Sequence, residues 1–547
     1  MDKFHPSAYK ITETRVSFTT ADGVLNALVD KIIALCEKNK AVFGGIPILR
    51  EGAKYNGVWL ETQPMGGEMY ASRDAVTALG NQLIFMKYQR RDGKMPGMIS
   101  CSYPWRGLTP HHDWMQGDFF SRPALRMSYL IGQDRTYLTL LYEALRDFDN
   151  YLWTFRDTDG DGCLETFCVW DTGDDNNTRL LAHGINHDHG CVHSEEAPTD
   201  HGDMPFESAE YMAYSYSQRS VLAEISDLLK NGEGDTWRER AEAVRLRFME
   251  YLWDEERAAA YDRDKNNEMM YVLSLENLKC MYQGIFTQEM ADAFIARHLM
   301  NPEEFFTPLP LPNIAANDAC FFLDDERNNF TPEMMERVRP LCAGDMADNS
   351  WGGPVQGLCH QRVIDALLNY RHHAELTVIA RRWIENAKRV GAFPQQYDPF
   401  TGDCCQGMDG YGPAMLATLE YLVHLFGIDY ASGRFTLSNG AAEPDSSYTQ
   451  HIFDSDYILT RQNGTATLTK DGKTVLSFTG GVRIVTDEAL NILTVHGMEP
   501  TAQEVTLTIG GTTYSAMILP NEIYTIENGA LVLRDRIAFS CPEADRN

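Results

Sequence analysis

Between about Asp22 and Gly427 apolar residues recur at three- and four-residue spacing. The pattern runs through 22–39, 68–90, 116–131, 134–154, 207–230, 234–254, 286–299, 356–371, 373–388 and 411–426. That spacing puts the apolar positions of each segment on one helical face and predicts amphipathic helices. Several come as pairs joined by short turns, as in SYLIGQDRTYL around Gly132 and LLKNGEGDTW around Gly232. LWTFRDTDGDG at 152–162 and LWDEERAAAYDRD at 252–264 each end a helix in an aromatic-acidic loop, a weak repetition that fits stacked helical hairpins. After Gly427 the period changes to two. Turn pairs stand at Asn463-Gly464, Asp471-Gly472, Gly480-Gly481, Gly510-Gly511 and Asn528-Gly529, which predicts hairpins in a small antiparallel β-sandwich of about ten short strands. The expected division is 1–430, helical, and 431–547, β-sandwich. Hairpins closed into a toroid, capped by a sandwich, leave one end of the toroid open as a pocket.

The loops between helices carry the chemistry. Residues 55–63, YNGVWLETQ, hold Trp59 and Glu61; 101–118, CSYPWRGLTPHHDWMQGD, hold Trp105, His111, His112, Asp113 and Trp114. Residues 155–179 end in VWDTGDDNNTR, with Trp170, Asp171, Asp174, Asp175 and Arg179 in one turn-rich stretch. DMADNSWGGPVQ at 345–356 holds Trp351 and Gln356, and FPQQYDPFTGDCCQGMDGYG at 393–412 holds Gln395, Tyr397 and Asp398. A Trp in a turn is costly unless it packs or binds something. Carboxylates, an indole and a guanidinium in one stretch suit sugar cleavage: the ring offers a platform for a pyranose, and a carboxylic acid protonates the leaving oxygen. An Asp/Asn-rich turn with satisfied caps is the plain alternative.

Charge narrows the partners. The net charge of −30 over 547 residues disfavours nucleic acid and anionic membrane surfaces, which select basic patches; a small neutral molecule is compatible with it. Self-association is left open. MDKFHPSAYKITETRVSF has no apolar core of a secretory signal, and no run is long and apolar enough to span a bilayer. With the twelve cysteines scattered, the expectation is reduced thiols in a cytoplasmic protein that needs no cofactor. His183, His187, His189, His193 and His201 cluster with Asp188 and Asp200, but form no HExxH pattern, so a surface or rim loop is the expected reading and no metal is assigned. DTDGDGCLE at 157–165 resembles the first half of a calcium loop. Its twelfth position is Cys168, which cannot chelate as Glu does, and a tight Asp/Gly turn is the expected reading.

Three of these loops together resemble glycoside hydrolase family 63, in its bacterial mannosylglycerate hydrolase-like branch. WDTGDDNNTR at 170–179 is similar to the family's acid segment at Trp170, Gly173, Asp175, Asn176 and Arg179; SWGGPVQ keeps Trp351, Gly353 and Pro354, with Gln356 where a second Trp is usual; QQYDPFTG matches the base segment from Tyr397 to Gly402. The resemblance covers about residues 55–427. It implies an (α/α)6 barrel of trehalase type and an inverting, two-carboxylate mechanism. It places the general acid on Asp175, expected to lie buried beside Trp170 with a raised pKa while Asp174 faces away. It places the base on Gln395, which is not a base. Asp398, Asp409, Glu207 and Asp348 are the carboxylates considered as its replacement, Glu207 because a helix N-terminus stabilises a carboxylate. Trp59, Trp105, Trp114, Trp170 and Trp351 are expected to line sugar subsites, with Glu61, Arg179, Gln356 and Tyr397 beside them. A phosphorylase, in which phosphate replaces activated water, and a non-catalytic sugar-binding protein are the alternatives.

Overall fold

The computed structural model describes residues 2–52, 54–101, 107–185, 205–342, 344–347 and 350–542. Among the described residues, the helices Gln63–Tyr70, Ser121–Tyr129, Ala209–Leu229, Glu276–Gln283, Gly357–Asn369 and Gly412–Phe426 each pack on the next, and the last returns to the first. Gly23–Asn39, Ala75–Lys87, Arg135–Phe155, Gly234–Tyr251 and His373–Val390 pack on members of this ring. Gln288–Phe294 is tied to it by Gln288 Nε2 donating to the Tyr370 carbonyl at 2.9 Å. Side-chain caps start many of these helices: Asp22 accepts from the Val24 and Leu25 amides, Asp134 from Thr136 and Tyr137, Ser208 from Tyr211.

Three expectations change. The helix predicted over 68–90 is two, because Asp74 caps a new start at Ala75 by accepting from the Thr77 amide at 3.0 Å. The helix predicted from 207 begins at Ala209, since Ser208 is its cap and Glu207 belongs to the short strand Phe206–Glu207. Glu276–Gln283 was not legible from periodicity: all of its residues are buried, so no polar face alternates with an apolar one.

The β-region has two antiparallel sheets. One has seven strands in the order Arg15–Thr20, Ser446–Ile452, Ser455–Gln462, Thr465–Lys470, Lys473–Thr479, Gln503–Ile509, Thr512–Ile518. The other has six, in the order Ile428–Ala431, Arg434–Asn439, Val482–Asp487, Ile492–Gly497, Glu522–Glu527, Ala530–Arg536. Four of the five turn pairs close hairpins with both central residues at positive φ, as Asn463 (50°) and Gly464 (79°) do between Gln462 and Thr465. Gly480-Gly481 does not: it carries the chain from the first sheet to the second. The boundary near 430 also omits one element, because Arg15–Thr20 leaves the N-terminal segment to pair with Ser446–Ile452, Arg15 opposite His451. Four of the five chemistry-bearing loops run into N-termini of ring helices, and the fifth, 155–179, runs into the short helix Thr178–Leu181.

Candidate active site

The five loops are stitched to one another around one end of the ring. Gln116 Nε2 donates to Glu61 Oε1 at 3.1 Å. The Gly117 amide donates to the Asp171 carbonyl at 2.7 Å. The Trp351 amide donates to the Asp175 carbonyl at 3.1 Å. Gln396 Nε2 donates to the Ser350 carbonyl at 2.8 Å, beside the paired strands Val355–Gln356 and Gln396–Tyr397. The Tyr55 hydroxyl closes the circuit by donating to Gln395 Oε1 at 2.7 Å.

Within VWDTGDDNNTR the three aspartates part company. Asp171 is buried and structural: Oδ1 accepts from the Met115 amide at 2.8 Å, Oδ2 from the Phe167 amide at 3.0 Å and from Arg156 at 2.6 Å. Gly173, at φ 78°, turns the chain where a side chain would strike the Glu61 carboxylate. Asp174 points into the ring and takes the Lys279 ammonium at 2.7 Å. Asp175 is half-buried, less enclosed than its sequence context suggests, and the next residue, Asn176, has φ 46°.

Below these residues lies an ion network. Lys279 also holds Glu210 at 2.7 Å, and Arg362 holds Glu61 at 3.0 Å while stacking 4.4 Å from the Phe119 ring. Burial works against the Lys279 ammonium, but Asp174 and Glu210 outweigh it and keep its pKa above the usual lysine range. Burial raises the Glu61 carboxyl well above its ordinary value, against the pull of Arg362. Arg362 and Lys279 sit mid-helix and Glu210 in the first turn of Ala209–Leu229, and all three went unnoticed in the sequence because a charged residue on a helix usually faces water.

Glu51 also went unnoticed, although it stands just before the first loop in REGAKYNGVW. It is buried, its backbone carbonyl accepts the Gly412 amide, and its carboxylate accepts the Tyr411 hydroxyl. Burial pushes its pKa up to about 7; the Tyr411 hydrogen bond opposes this, and the Asp175 charge adds to it. Tyr55 joins the group: its ring centroid lies 5.3 Å from Trp59 and 6.3 Å from Tyr411. Gln395, Tyr55 and Tyr411 line one small cavity with Asp409 and Lys54.

The remaining expected residues divide. Trp114 and Trp170 are half-buried with centroids 5.4 Å apart, a partly open aromatic corner next to the acid stretch. Trp351 and Gln356 are buried at the joint with the last loop, and neither Trp351 Nε1 nor Gln356 Oε1 has a hydrogen-bond partner. Arg179 is not presented to a ligand; it is 1% exposed and enclosed by Asp262, Glu276 and Glu210. Tyr397 is core, edge-on to Trp383 at 5.2 Å, its hydroxyl on the Ala392 carbonyl. Asp398 is spent on Arg327 and on the amides of Phe400 and Thr401. Burial would raise its pKa, but those partners outweigh it and hold the carboxyl below the usual range. Asp409 pairs with Lys31 at 2.6 Å and caps the Phe393 amide. Glu207 turns into another cluster with Asp159 and Glu165. Trp105, Asp348, His187, His189, His193, His201, Asp188 and Asp200 lie outside the described residues.

Residues 76–412 match the family described as the mannosylglycerate hydrolase MGH1-like glycoside hydrolase domain. The chain belongs to that family. A solved GH63 mannosylglycerate hydrolase from Thermus thermophilus in complex with glucose is 18% identical, with a TM-score of 0.55 over 72% of this chain and 99% of its own. The same enzyme in complex with Tris and D-glycerate gives 16% identity and a TM-score of 0.53 over the same shares, 72% and 99%. A neutral trehalase from Saccharomyces cerevisiae is 14% identical, with a TM-score of 0.50 over 71% of this chain and 76% of its own. No curated protein matches the chain. Among the described residues of this family member, no helix is long and apolar enough to cross a membrane.

Proposed function

We propose that this glycoside hydrolase domain is an (α/α)6 barrel that hydrolyses a small glycoside with inversion, using Asp175 as general acid and Glu51 as base. The observation that supports this reading is the buried Glu51 carboxylate, whose hydrogen-bond partner Tyr411 lines one cavity with Gln395 and which feels the Asp175 charge. The closed sequence of ring helices supports the barrel.

An inverting hydrolase needs a proton donor on the leaving oxygen and a carboxylate that takes a proton from the attacking water. Gln395 can orient a water through its amide but cannot accept its proton; Glu51, poised near neutrality, can. The Glu51 carboxylate takes one proton as the water oxygen bonds to the anomeric carbon. The glycosidic C–O bond breaks and Asp175 gives its proton to the departing oxygen. Both groups then exchange protons with solvent. Trp59, Trp114 and Trp170 offer ring platforms, and Glu61 and Gln116 offer partners for sugar hydroxyls.

The relatives' ligands suggest glucosides and mannosides as first probes, with D-glycerate among the aglycones. The excess of carboxylates over cations around Asp175 favours water over phosphate as nucleophile and a neutral aglycone over an anionic one. The test is an aryl-glycoside panel in phosphate-free buffer. Turnover is expected for at least one hexoside and should fall by at least ~100-fold in Glu51→Gln, with partial recovery in Glu51→Gln/Gln395→Glu. Turnover that appears only with added phosphate makes the chain a phosphorylase, and sugar binding without turnover makes it a binding protein. Full activity in Glu51→Gln removes Glu51 but leaves Asp175 standing.

A further inference from the structure

We propose that Asp157, Asp159, Asp161, Glu165 and Glu207 bind one divalent cation, calcium by its chemistry, between the acidic turn and the strand Phe206–Glu207. This site lies outside the Asp175 cluster and does not depend on the glycosidase reading.

Carboxylate oxygens of Asp157, Asp159 and Asp161 all come within 4.8 Å of one another, and so do those of Asp159, Glu165 and Glu207. The spacing follows the calcium-loop pattern, with ligands at positions one, three and five and a glycine at six. The glycine is Gly162, whose φ of 85° would strain any other residue. Position seven of such a loop supplies its backbone carbonyl, here from Cys163, and position nine is Glu165. Position twelve should bring a chelating carboxylate, and Cys168 cannot. The fold makes good the loss. Strands Glu165–Thr166 and Phe206–Glu207 pair with Glu165 opposite Glu207, which delivers a carboxylate from elsewhere in the chain.

Glu207 supplies the independent sign of a ligand. It is 4% exposed, and its Oε2 has no hydrogen-bond partner. The Cys163 thiol donates to the same carboxylate, too weak a donor to settle a buried anion. Among the described residues, the ion pair on these five acids is Arg247 with Asp161, at 2.7 Å. Glu165 accepts the Thr158 amide and hydroxyl, both at 2.8 Å. Oxygen-only donors on this turn suit calcium, which takes six to eight oxygens, better than magnesium, which demands a tight octahedron, or zinc, which prefers nitrogen and sulfur. The ion would brace the stretch that leads to the acid loop, since the Arg156 carbonyl takes the Glu165 amide at 2.6 Å and its guanidinium holds Asp171 at 2.6 Å.

The full chain, stripped with EGTA and moved to metal-free buffer, is titrated with CaCl2 and MgCl2 by calorimetry and thermal unfolding. One calcium per chain is expected, with a Kd within about 10⁻⁷–10⁻³ M, a rise in Tm, and magnesium at least ~10-fold weaker. Glu207→Gln and Asp159→Asn should each weaken calcium by at least ~10-fold. Asp159 is exposed, so its variant decides if Glu207→Gln fails to fold. No heat and no Tm shift up to about 10 mM calcium, well past the weakest protein sites, or an unchanged Kd in the Asp159 variant, overturns the site.

Discussion

Asp174 and Asp175 are neighbours with opposite fates, and the difference decides what each mutation does. The Asp174 carboxylate is buried with Lys279, so Asp174→Asn leaves that ammonium short of one partner. Its expected effect is a lower Tm. Asp175→Asn should leave Tm near that of the native chain and cut kcat by at least ~100-fold, the usual scale for losing general acid help. Circular dichroism melts and initial rates on the same preparations check both; the larger kcat loss in Asp174→Asn would move the acid to Asp174. Glu51 makes a pH prediction with a definite sign. Its pKa rises from the ordinary 4.5 to about 7 on folding, so the folded chain keeps a proton that the unfolded chain releases. Stability from this group is therefore greatest below 4.5 and falls as pH rises to about 7. Glu51→Gln should raise Tm at pH 8 and change it little at pH 5. Activity runs the other way, because the base must be ionised: kcat/KM should climb with pH through about 7 and lose that limb in Glu51→Gln.

The ring helices show how far a sequence pattern reaches. Helices with one wet face, such as Arg135–Phe155 and His373–Val390, announce themselves through spacing. Glu276–Gln283 is enclosed on every side, and its Lys279 reads as a surface residue until the fold shows it holding Asp174 and Glu210. The same limit applies to the site. The stretch that holds Trp170 and Asp175 was legible from local composition, because turns and aromatics leave local marks, and the family resemblance alone singled out Asp175 within it. Glu51 and Arg362 were not, because long-range packing alone brings them there. Tyr397 and Arg179 were misplaced for the converse reason: each belongs to a motif whose other members line the site, but here each side chain is used to build the fold. Lys279→Met tests the element. It takes the nearest charge partner from two buried carboxylates, and breaking such a pair typically costs about 3–5 kcal/mol. A clear drop in Tm is expected; an unchanged Tm would show that the network is dispensable.

The two antiparallel sheets of the C-terminal region are joined to the helices by more than a linker. Arg381, on His373–Val390, reaches Glu443 at 2.8 Å and Glu499 at 2.8 Å, and Arg15–Thr20 leaves the N-terminal segment to extend a sheet. Arg381→Met should lower the Tm of the whole molecule, because Glu499 is buried and loses its charge partner; calorimetry in which only a small β-transition moves would mean that the two parts unfold separately. A net charge of −30 and an acid-rich ring end together favour a neutral sugar substrate and water as nucleophile. The most direct measurement is the proton NMR spectrum of the first sugar released from a hydrolysed glycoside in phosphate-free buffer, compared with the Asp175→Asn variant. Release of the anomer opposite to that of the substrate, lost in Asp175→Asn, is what an inverting hydrolase with this acid gives. Release of the retained anomer, or of sugar only when phosphate is added, would contradict it.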